Sequence, residues 1–173
     1  MTPMPIRIVP LPEAAIALPE NLGFGRHFTR RMFTQKFSPE HGWNDAEIGP
    51  YRPLELDPAT EIFHSGQMIF DGTKAYRRPD GHLNLFRPDE NARPFNRSAQ
   101  RMAMPAVAPG QHVDAITELV RLEQAWTPSH AGAALYVRPV MLSMDATLEV
   151  RASRNFFALH YLESGRALFR RWF

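Results

Sequence analysis

The sequence predicts an α+β domain built on a mostly antiparallel sheet with helices on one side. Three observations carry that expectation. Strand-like segments come first, two helical segments are grouped in the middle, and two long strand-like segments follow. At 173 residues with 44% hydrophobic content the chain fits one domain and can bury a core. Its mean hydropathy of −0.34 is that of a folded, water-soluble chain.

Element by element, residues 1–23 are Pro-rich and read as an extended arm. Residues 28–37 mix aromatics, Met and Thr and form a first strand. Residues 38–42 turn the chain, and 43–56, with Gly49, Pro50 and Pro53, read as a hairpin or irregular strand pair. Residues 58–72 are mixed, and 73–76 form a short strand. Pro79-Asp80-Gly81 turns the chain into a strand over 82–86. A helix follows over 88–104. Pro94 lies inside it, where a missing N–H and a ring against the Glu90 carbonyl cost about 3 kcal/mol, so the helix is expected to begin only after Pro94. Residues 105–110 break the chain, and a second helix over 113–126 presents Val113, Ile116, Leu119 and Val120 to the core. Residues 127–132 form a loop, and 133–142 and 155–162 are strands; Trp126 and Phe156 read as core.

Within 133–142, Leu135-Tyr136-Val137-Arg138 is the informative run. Period-two geometry puts Tyr136 and Arg138 on one face and Leu135 and Val137 on the other. A guanidinium fork grips a carboxylate through two parallel bonds, and a neighbouring phenol orients it, so this face suits an organic acid.

Other chemistries are excluded in turn. The pI is near 9.3, but net charge is only +2 and the Arg pairs are scattered, so no basic stripe addresses nucleic acid. No apolar run reaches membrane-spanning length, and the start lacks a secretory signal. The chain has no Cys, which suits the cytoplasm. The seven His show no ligand spacing with a carboxylate, so no metal site is expected. Lys36 and Lys74 are the only lysines among 20 basic residues, leaving two candidates for any amine chemistry.

Five segments together resemble the branched-chain amino-acid aminotransferases, pyridoxal-phosphate (PLP) enzymes of aminotransferase class IV. They are Phe24-Gly25-Arg26-His27-Phe28-Thr29, Phe70-Asp71-Gly72-Thr73-Lys74-Ala75-Tyr76, Phe86-Arg87-Pro88 through Asn91, Arg97-Ser98-Ala99-Gln100-Arg101-Met102, and Leu135-Tyr136-Val137-Arg138-Pro139. The resemblance runs from about Leu22 to Leu162 and implies the small domain of fold-type IV PLP enzymes, over residues 24–162. It implies transfer of an amino group between Leu, Ile or Val and 2-oxoglutarate, with amino acids and 2-oxo acids as ligands and a homodimer in the intact enzyme. The family's Schiff-base lysine belongs to a C-terminal domain absent here, so the resemblance implies no catalytic residue in this chain, no retained pyridoxal 5'-phosphate and no activity.

By position, the resemblance places Phe24, Tyr136 and Arg138 at the substrate, and Leu148 and Val150 on a loop lining the partner subunit's pocket. Lys74 does not match the Schiff-base lysine and reads as a solvated or salt-bridged side chain. The family arginine that grips the cofactor phosphate falls on Pro94. Arg93 stands next to it, rotated by about 100° along a helix. Ser65 replaces a tyrosine near the substrate, and Glu149 replaces a glycine between Leu148 and Val150. After Leu162 the family continues Ser-Pro-Val-Gly, whereas here the chain reads Glu163-Ser164-Gly165-Arg166. Codons permitted for residues 163–173, read one base later, restore the family's run. That tail is therefore expected to be out-of-frame translation, disordered or packed opportunistically.

Two other readings compete. One is a non-catalytic dimerisation or binding fragment. The other is a class IV enzyme of the D-amino-acid aminotransferase or aminodeoxychorismate lyase type. Tyr136-Val137-Arg138-Pro139 and the long lead-in from Phe24 to Trp43 favour the branched-chain type.

Overall fold

A computed structural model describes residues 5–130 and 132–166. Its strands are β1 (Arg7–Ile8), β2 (Phe28–Ser38), β3 (Gly42–Pro50), β4 (Met68–Phe70), β5 (Thr73–Arg77), β6 (Leu83–Leu85), β7 (Ala133–Ser143) and β8 (Phe156–Arg166). They form a mixed sheet in the order β1-β3-β2-β8-β7-β5-β6, with β4 also paired to β7. Among the described residues only the short β1–β3 pair is parallel, as expected for a mostly antiparallel sheet.

Helices α2 (Pro88–Arg101) and α3 (Pro109–Leu122) cover one face, and a short α1 (Glu61–Ser65) precedes β4. Ala115, Ile116, Leu119 and Val120 of α3 pack on Phe33, Ile48, Leu135, Val137 and Leu162. Phe95 and Ala99 of α2 pack on Ile69, Met141 and Phe156, with Trp126 at the margin of the α3 cluster. Fully burying each such Leu, Ile or Phe contributes about 1.5–3 kcal/mol, which fixes which strand face turns inward. Residue 113 is only partly buried, and His112 takes the core position instead.

Before β7, the sequence-based boundaries need four corrections. First, α2 runs unbroken through Pro94. Pro88 opens it at the first helical position, where no N–H is needed, and burial of Ala92, Phe95 and Ala99 holds both sides of Pro94 to the core. Only the bond to the exposed Glu90 is forfeited. Second, α2 stops at Arg101, because Ala103 turns left-handed (φ 53°) and Met104 N–H donates to the Ala99 carbonyl at 2.9 Å. Third, α3 begins at Pro109, another first-position proline, and ends at Leu122 before a 3-10 turn over Gln124–Trp126. Fourth, residues 51–56 form no strand beyond β3, since Pro50 and Pro53 cannot donate to a ladder.

At the chain's far end, β8 does not stop at Leu162. Glu163, Ser164, Gly165 and Arg166 pair with Tyr136, Leu135, Ala134 and Ala133. Residues 167–173 of the tail and 1–4 of the arm lie outside the described residues.

Pro139 sits inside β7, an unusual place for proline in a central strand. β5 pairs with Leu135, Tyr136 and Val137, and β4 with Val140, Met141 and Leu142, so on that side Pro139 faces the gap between them. Its carbonyl accepts Asp71 N–H at 3.0 Å, and its missing N–H, on the same side, leaves no ladder bond unmade. The gap admits the Asp71-Gly72 link beside Tyr136.

Candidate functional site

The face away from α2 and α3 carries the candidate site. Tyr136 and Arg138 project from β7 and are partly exposed, while Leu135 and Val137 are fully buried on the helix side. The alternation read from the sequence is therefore the one observed. Cross-strand register adds Tyr161, opposite Arg138, and Glu163, opposite Tyr136.

Glycine and aromatic neighbours position the Tyr136 ring. A Cβ on Gly72 would lie 2.1 Å from the Tyr136 hydroxyl, so the phenol occupies space only glycine leaves. Gly72 is held by the Asp71 carboxylate, which accepts its N–H at 2.8 Å, and by Asn91 of α2, which donates to its carbonyl at 3.2 Å. On another side Phe24 meets the Tyr136 ring edge-on at 5.2 Å. Such pairs contribute about 0.5–1.5 kcal/mol beyond burial.

Arg138 lies over the Phe70 ring at 4.6 Å and within 5.3 Å of the Tyr136 ring. Its Nε is buried without a hydrogen-bond partner. Aromatic faces steady a guanidinium without consuming its donors, so the fork stays free for an oxyanion. Beyond it, Phe28 stacks on Tyr51 at 5.5 Å, and both meet the ring of Tyr161. Burial pushes the Tyr161 hydroxyl above its usual pKa, so it stays a neutral phenol and a hydrogen-bond donor.

Glu163 is 3% exposed and accepts a hydrogen bond from Gly25 N–H. Burial raises its carboxyl pKa, against the opposing pull of the Gly25 and Arg26 N–H groups and the charges of His27 and Arg138.

The remaining sequence candidates fall elsewhere. Leu148 and Val150 stand on the loop joining β7 to β8, 73% and 105% exposed, at the end of β7 away from Tyr136. That loop is anchored by Asp145, which accepts bonds from Arg151 at 2.7 Å, Arg154 N–H at 3.0 Å and Asn155 N–H at 2.9 Å. Arg93 is exposed and pairs with Glu90 at 3.4 Å on its own helix. Ser65 caps back onto the Glu61 carbonyl at 3.1 Å. Lys74 lies closer to the site than the sequence suggested. It is the β5 partner of Tyr136 and lines a cavity of about 130 Å³ with Phe24, Tyr76 and Tyr136.

A larger cavity, about 760 Å³, lies between β2, β8 and residues 52–56. Its walls include Met32, Leu54, Leu56 and Phe157, and its Lys36 is paired with Asp45 at 3.2 Å. It contains neither Tyr136 nor Arg138, the side chains whose phenol and guanidinium suit an oxyanion. Among the described residues no group of three His, Asp or Glu could hold a metal ion, and no helix is long and apolar enough to cross a membrane.

Neither position that the resemblance suggests for a PLP phosphate offers a free donor. Arg93 is turned to solvent and engaged by Glu90, and the adjoining position is Pro94, which offers no donor.

Sequence reasoning missed Gly72, Tyr161 and Glu163. Period-two alternation along β8 would have put Tyr161 and Glu163 on one face, but only the register brings them opposite Arg138 and Tyr136.

No family model matches the chain. Curated relatives do. It is 45% identical over 138 residues to "Branched-chain-amino-acid transaminase 1" of Bacillus subtilis, covering 80% of this chain and 39% of that protein. It is 43% identical over 141 residues to a "Probable branched-chain-amino-acid aminotransferase" of Streptomyces coelicolor, covering 81% and 39%. Among solved structures, the branched-chain amino acid aminotransferase of Thermobaculum terrenum in its PLP form superposes with a TM-score of 0.55 at 19% identity. The match covers 84% of this chain and 42% of that one, a likeness of fold. The chain thus spans about two fifths of the length of its relatives. Within that span its sequence and its curled, helix-backed sheet are similar to those of the N-terminal small domain of the branched-chain aminotransferases.

Proposed function

We propose that this chain is the acid-recognising part of a branched-chain amino-acid transaminase, with Tyr136 near the carboxylate that all the amino and 2-oxo acids share and Arg138 receiving the second carboxylate of a dicarboxylic partner. The observation that carries the reading is the guanidinium of Arg138, held over Phe70 with its Nε buried and unpaired beside the Tyr136 phenol. Phe24 and Phe70 supply apolar walls suited to a branched aliphatic side chain. In the intact enzyme a dicarboxylic partner such as 2-oxoglutarate brings its second carboxylate to Arg138, and Leu, Ile or Val brings none.

PLP, in the full-length enzyme, supplies the electron sink for amino-group transfer. The Schiff-base lysine belongs to the part of the family's length that this chain does not span. The 173-residue chain alone is accordingly expected to bind acids and to transaminate nothing.

The test is calorimetric binding of glutarate and 4-methylpentanoate to the wild-type chain and to Arg138→Ala. Charge-assisted bonds contribute about 1.5–3 kcal/mol, so the variant should lose about 10- to 150-fold for glutarate and much less for the monocarboxylate. Equal losses for both acids would show that Arg138 does not read the second carboxylate.

A second reading has its own support. Leu148 and Val150 expose apolar side chains on a loop stiffened by Asp145, as an assembly contact requires. We propose that this loop reaches the substrate face of a second copy in a homodimer. Size-exclusion chromatography of the wild type against a Leu148→Ser, Val150→Ser double variant tests it, and an unchanged elution volume would end it.

A further inference from the structure

Glu163 is an ionisable side chain that the acid-binding reading leaves unused. On β8 it stands opposite Tyr136 and two residues beyond Tyr161, the partner of Arg138, so all four share one sheet face. Its side chain is 3% exposed and accepts from Gly25 N–H, within a loop that two left-handed glycines, Gly23 and Gly25 (φ 64° and 74°), fold around it. Gly165 keeps the approach open, since a Cβ there would lie 3.0 Å from Glu163 Oε1 and 3.3 Å from the Gly23 carbonyl.

A structural role for the charge would be to hold that loop. The loop is already tied to β8 by Ser164 N–H donating to the His27 carbonyl and Arg166 N–H to the Gly23 carbonyl, both at 2.9 Å. Nor does Glu163 consume Arg138, for the two form no ion pair among the described residues, and the Arg138 Nε stays unpaired. The result is a carboxyl group on the same sheet face as Arg138, one cross-strand pair away and not engaged with it.

We propose that Glu163 is a specificity-determining residue of this face: its negative charge disfavours ligands that bring a second carboxylate to Arg138 and leaves monocarboxylic, aliphatic acids comparatively untouched. The physical reason is that two like charges on one sheet face repel in proportion to the charge brought in. A dicarboxylate places its second group in that field, whereas a branched aliphatic tail has no charge to repel.

The inference rests on the acid-binding role of Arg138 and is tested beside it. Glu163→Gln keeps an acceptor oxygen for Gly25 while removing the charge, and Glu163→Ser removes the charge with a smaller side chain. At pH 7.5, calorimetric titration with glutarate should show each variant binding about tenfold tighter than wild type, with 4-methylpentanoate changed less than about twofold. Unchanged glutarate affinity, or an equal gain for both acids, overturns the inference. If Arg138→Ala loses glutarate while the Glu163 variants match wild type, the acid site stands and only this inference falls. If Arg138→Ala also leaves glutarate binding unchanged, both fall together.

Discussion

Gly72→Ala tests how the phenol of Tyr136 is aimed. The backbone at Gly72 is in a region open to alanine, so strain comes from contact alone. A new Cβ would meet the Tyr136 Oη at 2.1 Å, Cζ at 2.7 Å and Cε2 at 2.9 Å, all below the 3.4 Å where ordinary contact begins. The ring must retreat by more than an ångström, and Phe24 blocks one way out. Overpacking of this kind costs about 1–3 kcal/mol. In a domain of this size that corresponds to a fall in Tm of about 2 to 12 °C. The assay is thermal unfolding of four proteins: wild type, Gly72→Ala, Tyr136→Ala and the double variant. Once Tyr136 is truncated, the new methyl group has space, and Gly→Ala should stabilise by about 0.4–1 kcal/mol through the unfolded chain. If Gly72→Ala costs as much without the phenol as with it, the claim that this glycine exists to seat Tyr136 is refuted.

Further expectations concern pH, the loop and the lysine. His112 and His160 face each other in the core at 5.0 Å, between Phe95 and Phe33, with both His112 nitrogens unpaired. Burial lowers the His112 pKa from 6.5 to about 4, and burial together with the neighbouring His112 holds that of His160 well below its usual value. The folded state therefore resists protons that the unfolded chain accepts. Stability is full above pH 6.5 and declines toward pH 4, by about 3 kcal/mol for His112 alone. Urea unfolding of His112→Leu should show a flatter pH dependence, and an unchanged profile would contradict this. At Asp145, burial alone would raise the pKa, but bonds from Arg151, Arg154 and Asn155 hold the carboxyl well below the usual range. Its contribution is then present above about pH 4 and lost only in stronger acid. Asp145→Ala should cost about 3 kcal/mol at pH 7 and speed hydrogen exchange in the 145–155 loop. Finally, on the proposed reading of Lys74 as a residue without a catalytic role, PLP added to the chain and reduced with borohydride should leave no stoichiometric adduct. Quantitative labelling of Lys74 in mass spectra would reverse that assignment.

Sequence by itself determined the fold class and the orientation of strand β7. Both follow from local periodicity: Leu135 and Val137 are apolar, Tyr136 and Arg138 are not, and a sheet with one covered face permits one outcome. The same locality explains the misjudged helix. Pro94 read alone is a breaker, whereas burial of Ala92, Phe95 and Ala99 outweighs one lost hydrogen bond. What only the tertiary structure decided is who stands beside that strand. Gly72 is 64 residues before Tyr136 and Glu163 is 27 beyond it, so their meeting depends on the β5–β7 and β7–β8 registers. Register is a property of two segments at once, settled by which faces the whole core can bury, and no single stretch of chain records it.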